Sequence, residues 1–134
     1  MSKTLFHQSL PIFETGVKAG FPSPAEEELC APLNLNEHLI PHPSSTFLVR
    51  VQGDSMQGAG IYSGDILVVD KSLQPAHGKI IVALLNGEFT VKRLLIGKHE
   101  IILHAENPSY PPIQVQSIHD FVVWGIVTYV IHKT

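Results

Sequence analysis

From Ser45 to the C-terminus the chain is written in short runs of β-branched and aromatic residues separated by turn-forming residues. That pattern restricts the fold more than any other feature. Ser45 to Gln52 alternates, with Phe47, Val49 and Val51 on one face. Ile66 to Asp70, Lys79 to Leu85, Glu88 to Ile96, His99 to Ala105, Ile113 to Gln116 and Phe121 to His132 carry the same signal. Asn86-Gly87 falls between two of these runs, a dipeptide suited to a two-residue hairpin turn. Residues 45–134 are therefore expected to form a mostly β body.

Residues 1–44 differ. Pro11, Pro22, Pro24, Pro32, Pro41 and Pro43 interrupt them, and Glu26-Glu27-Glu28 adds an acidic run. The spacing predicts an N-terminal arm with one short helix near Pro24 to Cys30, where proline and glutamate suit a first helical turn. Leu5, Phe6, Leu10, Ile12 and Phe13 could dock on the body or on a second subunit, or could belong to a loosely ordered terminus.

Composition narrows the function. A chain of 134 residues with 44% apolar content is expected to fold as one domain with a real core. Its longest apolar run, Ile80 to Leu85, is far shorter than a membrane span, and the start MSKTLFHQSLPIFETG lacks the apolar centre of an export signal. Cys30 is the single cysteine, which excludes an internal disulfide and suits a reducing cytoplasm. Nine Lys+Arg against 12 Asp+Glu give a net charge of −3 with no basic stripe, which argues against direct nucleic-acid binding. The eight histidines show no metal-ligand spacing. His38 and His42 are separated by Pro41, which hinders the helix such a pair requires. No metal or cofactor is expected.

The stretch VRVQGDSMQGAGIYSGDILVVD holds more glycine than a plain turn needs. Such a turn can bring backbone close to a substrate and aim N–H groups at a developing oxyanion. A serine hydroxyl becomes a nucleophile only when a base takes its proton, and a buried lysine can be that base. Lys92 in EFTVKRLLI is a candidate base for Ser55, with Thr90, Lys92 and Leu94 on one strand face. Ser55 can equally close a turn, and Lys92 can equally face water; spacing does not choose between these. Asp54, Asp65 and Asp70 are read as turn and strand-end residues, and Asn107-Pro108-Ser109-Tyr110-Pro111-Pro112 as a loop.

Four stretches carry a resemblance: KAGFPSPAEE at 18–27, FLVRVQGDSMQGAGIYSGDILVVD at 47–70, HGKIIVALLNGEFTVKRL at 77–94 and VVWGIVTYVI at 122–131. In this order they resemble the LexA/UmuD family of self-cleaving serine peptidases. The resemblance implies a curved multi-sheet β body with an extended arm, Ser55 as nucleophile and Lys92 as general base. It also implies that the Ala19–Gly20 bond is the substrate. Where UmuD-type chains can carry cysteine before the scissile glycine, this one has Ala19. Further implications are a role in the SOS response to DNA damage, stimulation by a RecA filament on single-stranded DNA, and homodimerisation. The shortened form would then serve a UmuC-type lesion-bypass polymerase as accessory subunit. Two alternatives stand beside this: a binding module in which Ser55 and Lys92 are inert, and a signal-peptidase-like enzyme. The latter would need a membrane anchor and a further Gly-Asp motif where this chain reads KRLLIGKHEI.

Overall fold

The computed structural model describes residues 9–12 and 32–134. The helix expected near Pro24 to Cys30, and the Ala19–Gly20 bond, lie outside the described residues. The chain divides into two units between Pro41 and His42. In the first, β1 (Ser9–Leu10) pairs antiparallel with β2 (Leu33–Asn34), and α1 (Leu35–Leu39) follows directly. Asn34 caps α1, its Oδ1 accepting from the Glu37 backbone N–H at 3.2 Å.

The second unit is mostly β, as the sequence leads one to expect. It holds β3 (Thr46–Arg50), β4 (Ile66–Asp70), β5 (Ile80–Leu85), β6 (Glu88–Ile96), β7 (Ile101–His104), β8 (Ile113–Val115) and β9 (Phe121–Ile131). These form one antiparallel sheet in the order β3-β4-β9-β5-β6-β7-β8. The last strand in sequence thus enters between β4 and β5 and joins two meanders. Asn86 (φ 50°) and Gly87 (φ 82°) close the β5–β6 hairpin with positive φ at both positions, which sets the Leu85–Glu88 register.

Both faces of the central strands are covered. On β5, Val82 enters a cluster with Val51, Met56, Ile61, Leu67 and Val69. Its neighbours Ile81 and Ala83 enter another with Leu94, Leu103 and Ile126. This two-sided burial explains why IIVALL is apolar throughout instead of alternating. Register shifts at Val68/Val69 and Val82/Ala83 interrupt the ladders on both sides of β9, and bulges of this kind bend a strand locally. Gly125 pairs with Val82 beside one of them, where a Cβ would stand 2.5 Å from Val69 Cγ1.

Strand β4 is pinned at both ends by a buried carboxylate. Asp65 accepts from the Tyr62 backbone N–H at 2.8 Å and meets His132 Nδ1 at 2.6 Å. Asp70 accepts from the Ser72 hydroxyl at 2.7 Å, the Ser72 N–H at 2.8 Å and the Ser45 hydroxyl at 3.1 Å, and meets His42 Nδ1 at 2.6 Å. The Ser72 hydroxyl leads in holding the Asp70 carboxyl below the usual carboxylate range, with the other hydrogen bonds outweighing the opposing effect of burial. An ionised carboxylate only accepts, so each histidine Nδ1 is the donor. Among the described residues, no buried side-chain nitrogen or oxygen lacks a partner, and no helix is long and apolar enough to cross a membrane.

Two outcomes are expected. Gly125→Ala should cost about 1–3 kcal/mol in urea unfolding through overpacking, and less than additively when combined with Val69→Ala. Because folded Asp70 is the stronger acid, the unfolded chain takes up the proton first as pH falls. Stability should then decline from about pH 5 downward, with a shallower slope in Asp70→Asn; unfolding midpoints between pH 3 and 7 read this directly.

Candidate active site

Ser55 sits in the connection between β3 and β4. The two strands stay joined just beyond their ends, the Val51 N–H donating to the Asp65 carbonyl and the Gly64 N–H to the Val51 carbonyl, each at 2.9 Å. Between these clamps, Gly53 (φ 89°) takes a left-handed conformation that a side chain would strain, and reverses the chain toward Ser55. Met56 and Ile61 then plug into the first core cluster. The Met56 carbonyl accepts from the N–H groups of Ala59 (3.0 Å) and Ile61 (3.2 Å), closing the turn that carries the serine.

Lys92 comes from β6. Its residue is 8% exposed, and Leu94, two positions on along the same strand face, is buried in the second core cluster. Its Nζ stands 3.2 Å from Ser55 Oγ, 2.7 Å from Thr90 Oγ1 and 3.1 Å from the Val91 carbonyl oxygen. Burial lowers the Lys92 pKa, because the charged form loses hydration. A neutral amine has two N–H groups and one lone pair. In that neutral form Thr90 and Val91 would accept the two hydrogens, leaving the lone pair for the Ser55 hydroxyl to donate into. A cavity of about 370 Å³ opens over the pair, with Val49, Val51, Met56 and Val82 among its lining.

The structure thus brings together the two residues proposed from sequence, 37 positions apart. The other two, Ala19 and Gly20, lie outside the described residues. Thr90 was recognisable as a same-face neighbour of Lys92, but its hydroxyl contact was not legible. His42 is engaged by Asp70. Ser72 Oγ lies 3.4 Å from that same His42 nitrogen, so serine and carboxylate share one ring atom and form no proton relay. The Asn107–Pro112 loop proves to hold the serine turn. Asn107 Nδ2 donates to the Asp54 carbonyl at 2.9 Å, and Tyr110 Oη–H to Asp54 Oδ1 at 2.5 Å.

An antiparallel β body carrying a serine against a buried lysine is the setting for the comparison with known proteins. The Peptidase S24-like family matches residues 11–128, and the chain belongs to that family. It is 45% identical to Protein SamA of Salmonella typhimurium (strain LT2) over 124 residues, 92% of this chain and 86% of the relative. It is 42% identical to Protein MucA of Escherichia coli over 122 residues, covering 90% and 83%. A LexA repressor from Shewanella woodyi is 40% identical over 114 residues, 85% of this chain but 55% of the repressor.

In an NMR titration the Lys92 Cε resonance is expected to move at lower pH than those of exposed lysines, whose pKa lies near ~10.4. A midpoint among the exposed lysines would contradict the desolvation argument.

Proposed function

We propose that the chain is a self-cleaving serine peptidase of the DNA-damage response whose substrate is its own Ala19–Gly20 bond. The observation that carries this reading is the 3.2 Å approach of Lys92 Nζ to Ser55 Oγ, with the lysine buried and its remaining hydrogens accepted by Thr90 and Val91. Membership of a peptidase family supports it.

Neutral Lys92 accepts the Ser55 proton as Oγ attacks the Ala19 carbonyl carbon. The tetrahedral intermediate collapses by breaking the Ala19–Gly20 C–N bond. The proton held on Nζ passes to the departing Gly20 amine. Water, deprotonated by the regenerated amine, then attacks the Ala19 acyl ester, releasing residues 1–19 and restoring the Ser55 hydroxyl. No cofactor or metal takes part. Residues 1–44 act as the arm that carries the bond, and residues 45–134 as the catalytic and dimerising body.

The kinship with SamA, MucA and a LexA repressor supports the wider setting. A RecA filament on single-stranded DNA stimulates cleavage in the cytoplasm. The shortened homodimer, residues 20–134, then serves a UmuC-type lesion-bypass polymerase as accessory subunit. The acidic balance fits a protein that reaches DNA through partners.

Ser55→Ala and Lys92→Ala should each abolish processing, read by intact mass after alkaline incubation, with thermal unfolding still cooperative. The wild-type rate should climb from pH 7 toward ~10 as Lys92 loses its proton. Retained cleavage in either folded variant removes that residue from the mechanism. An uncut wild type, even with RecA, single-stranded DNA and nucleotide, moves the weight to a binding module.

A further inference from the structure

We propose that Tyr110 and Asn107 are positioning residues that hold Ser55 in register with Lys92 by gripping Asp54; this rests on the reading of Ser55 as nucleophile. The turn carrying Ser55 is anchored unevenly. On its C-terminal side Met56 and Ile61 are buried at 2% and 0% exposure. On its N-terminal side Gln52, Gly53 and Asp54 are exposed and supply no apolar anchor. Beyond the Val51 clamp and the Gln57 N–H that donates to the Asp54 carbonyl at 3.3 Å, the restraint on that side is polar and comes from residues 106–110. The Asp54 carbonyl, one peptide unit from Ser55, accepts from Asn107 Nδ2 at 2.9 Å, and the Asp54 carboxylate accepts from the Tyr110 hydroxyl at 2.5 Å.

The gripping loop is itself rigid. Asn107 Oδ1 accepts from the Ser109 N–H at 3.0 Å, and the Asn107 carbonyl from the Tyr110 N–H at 3.1 Å. This turn fixes Nδ2 and the start of the Tyr110 side chain together. Pro108, Pro111 and Pro112 restrict the flanking backbone. A third tie runs between main chains: the Gly58 N–H donates to the Glu106 carbonyl at 2.7 Å, an approach so close that a Cβ on Gly58 would lie 2.6 Å from that oxygen. Glu106 also pairs with Arg93 at 2.5 Å, beside Lys92. One segment therefore holds the serine turn and the lysine strand at once. Its hydrogen bond to Asp54 also raises the Tyr110 pKa.

The test is the first-order self-cleavage rate of the full chain, followed by intact mass across pH 7 to ~10, with melting temperature alongside. Tyr110→Phe removes one hydroxyl at a half-exposed position. Asp54→Ala removes its acceptor, and the double variant removes both. Tyr110→Phe and Asp54→Ala should each slow cleavage by about tenfold at every pH, the double variant being no slower than the slower single. Asn107→Ala should act in the same direction. The midpoint of the pH profile should stay at the wild-type value, because Lys92 keeps its burial and its contacts. Tyr110→Phe cleaving within about twofold of wild type would overturn the proposal. So would losses that multiply, or a shifted midpoint, which would place the effect at Lys92. If wild type and Tyr110→Phe both cleave at full rate, only this inference fails; if wild type is inert even with RecA, single-stranded DNA and nucleotide, the nucleophile reading fails with it.

Discussion

The proposed chemistry depends on one amine taken out of water. A lysine in an apolar strand loses hydration of its charged form and moves toward neutrality. Here the strand supplies that burial, and the surroundings fit the neutral form. Lys92 has the Thr90 hydroxyl and the Val91 carbonyl for its two hydrogens and the Ser55 hydroxyl facing its lone pair. No carboxylate is ion-paired with it among the described residues, so desolvation acts without an opposing charge.

Much of the fold follows from keeping that site in place. Seven strands form a continuous sheet because β9 enters between β4 and β5. Leu67 and Val69 of β4 and Val82 of β5 pack with Met56 and Ile61 of the serine turn in one cluster, and the other face of β5 is covered by a second. The carboxylates that close the ends of β4 serve a different purpose from the Ser55–Lys92 pair. Asp65 and Asp70 stay charged because hydrogen bonds outweigh desolvation, whereas Lys92 is pushed toward neutrality because its contacts do not. The outcomes differ because each carboxylate accepts from N–H, O–H and histidine donors that favour its charged form, whereas Lys92 meets only neutral oxygens and has no carboxylate partner among the described residues.

The sequence disclosed the body well because its signals are local. All seven runs from residue 45 onward became strands, the Asn86-Gly87 turn set a register, and the glycine-rich stretch marked the serine turn. What stayed hidden depends on distance along the chain. The Tyr110–Asp54 contact joins residues 56 apart, and His132–Asp65 joins residues 67 apart. No window reading can pair them. The helix Leu35–Leu39 was missed for another reason: five residues carry little periodicity, and the Asn34 and Glu37 cap that announces it lies among prolines. Pairing Ser55 with Lys92 needed the family resemblance, since many serines in Gly-Asp-Ser turns and many strand lysines never meet.

The most direct measurement of the central claim is covalent capture of the serine. The full chain is incubated with a small fluorophosphonate, and the adduct is mapped by peptide mass, for wild type and Lys92→Ala. An activated Ser55 should carry the adduct alone among the serines, faster as pH rises, with Lys92→Ala essentially unlabelled. Equal labelling in Lys92→Ala, or an adduct spread over other serines, would mean that the buried lysine does not activate Ser55.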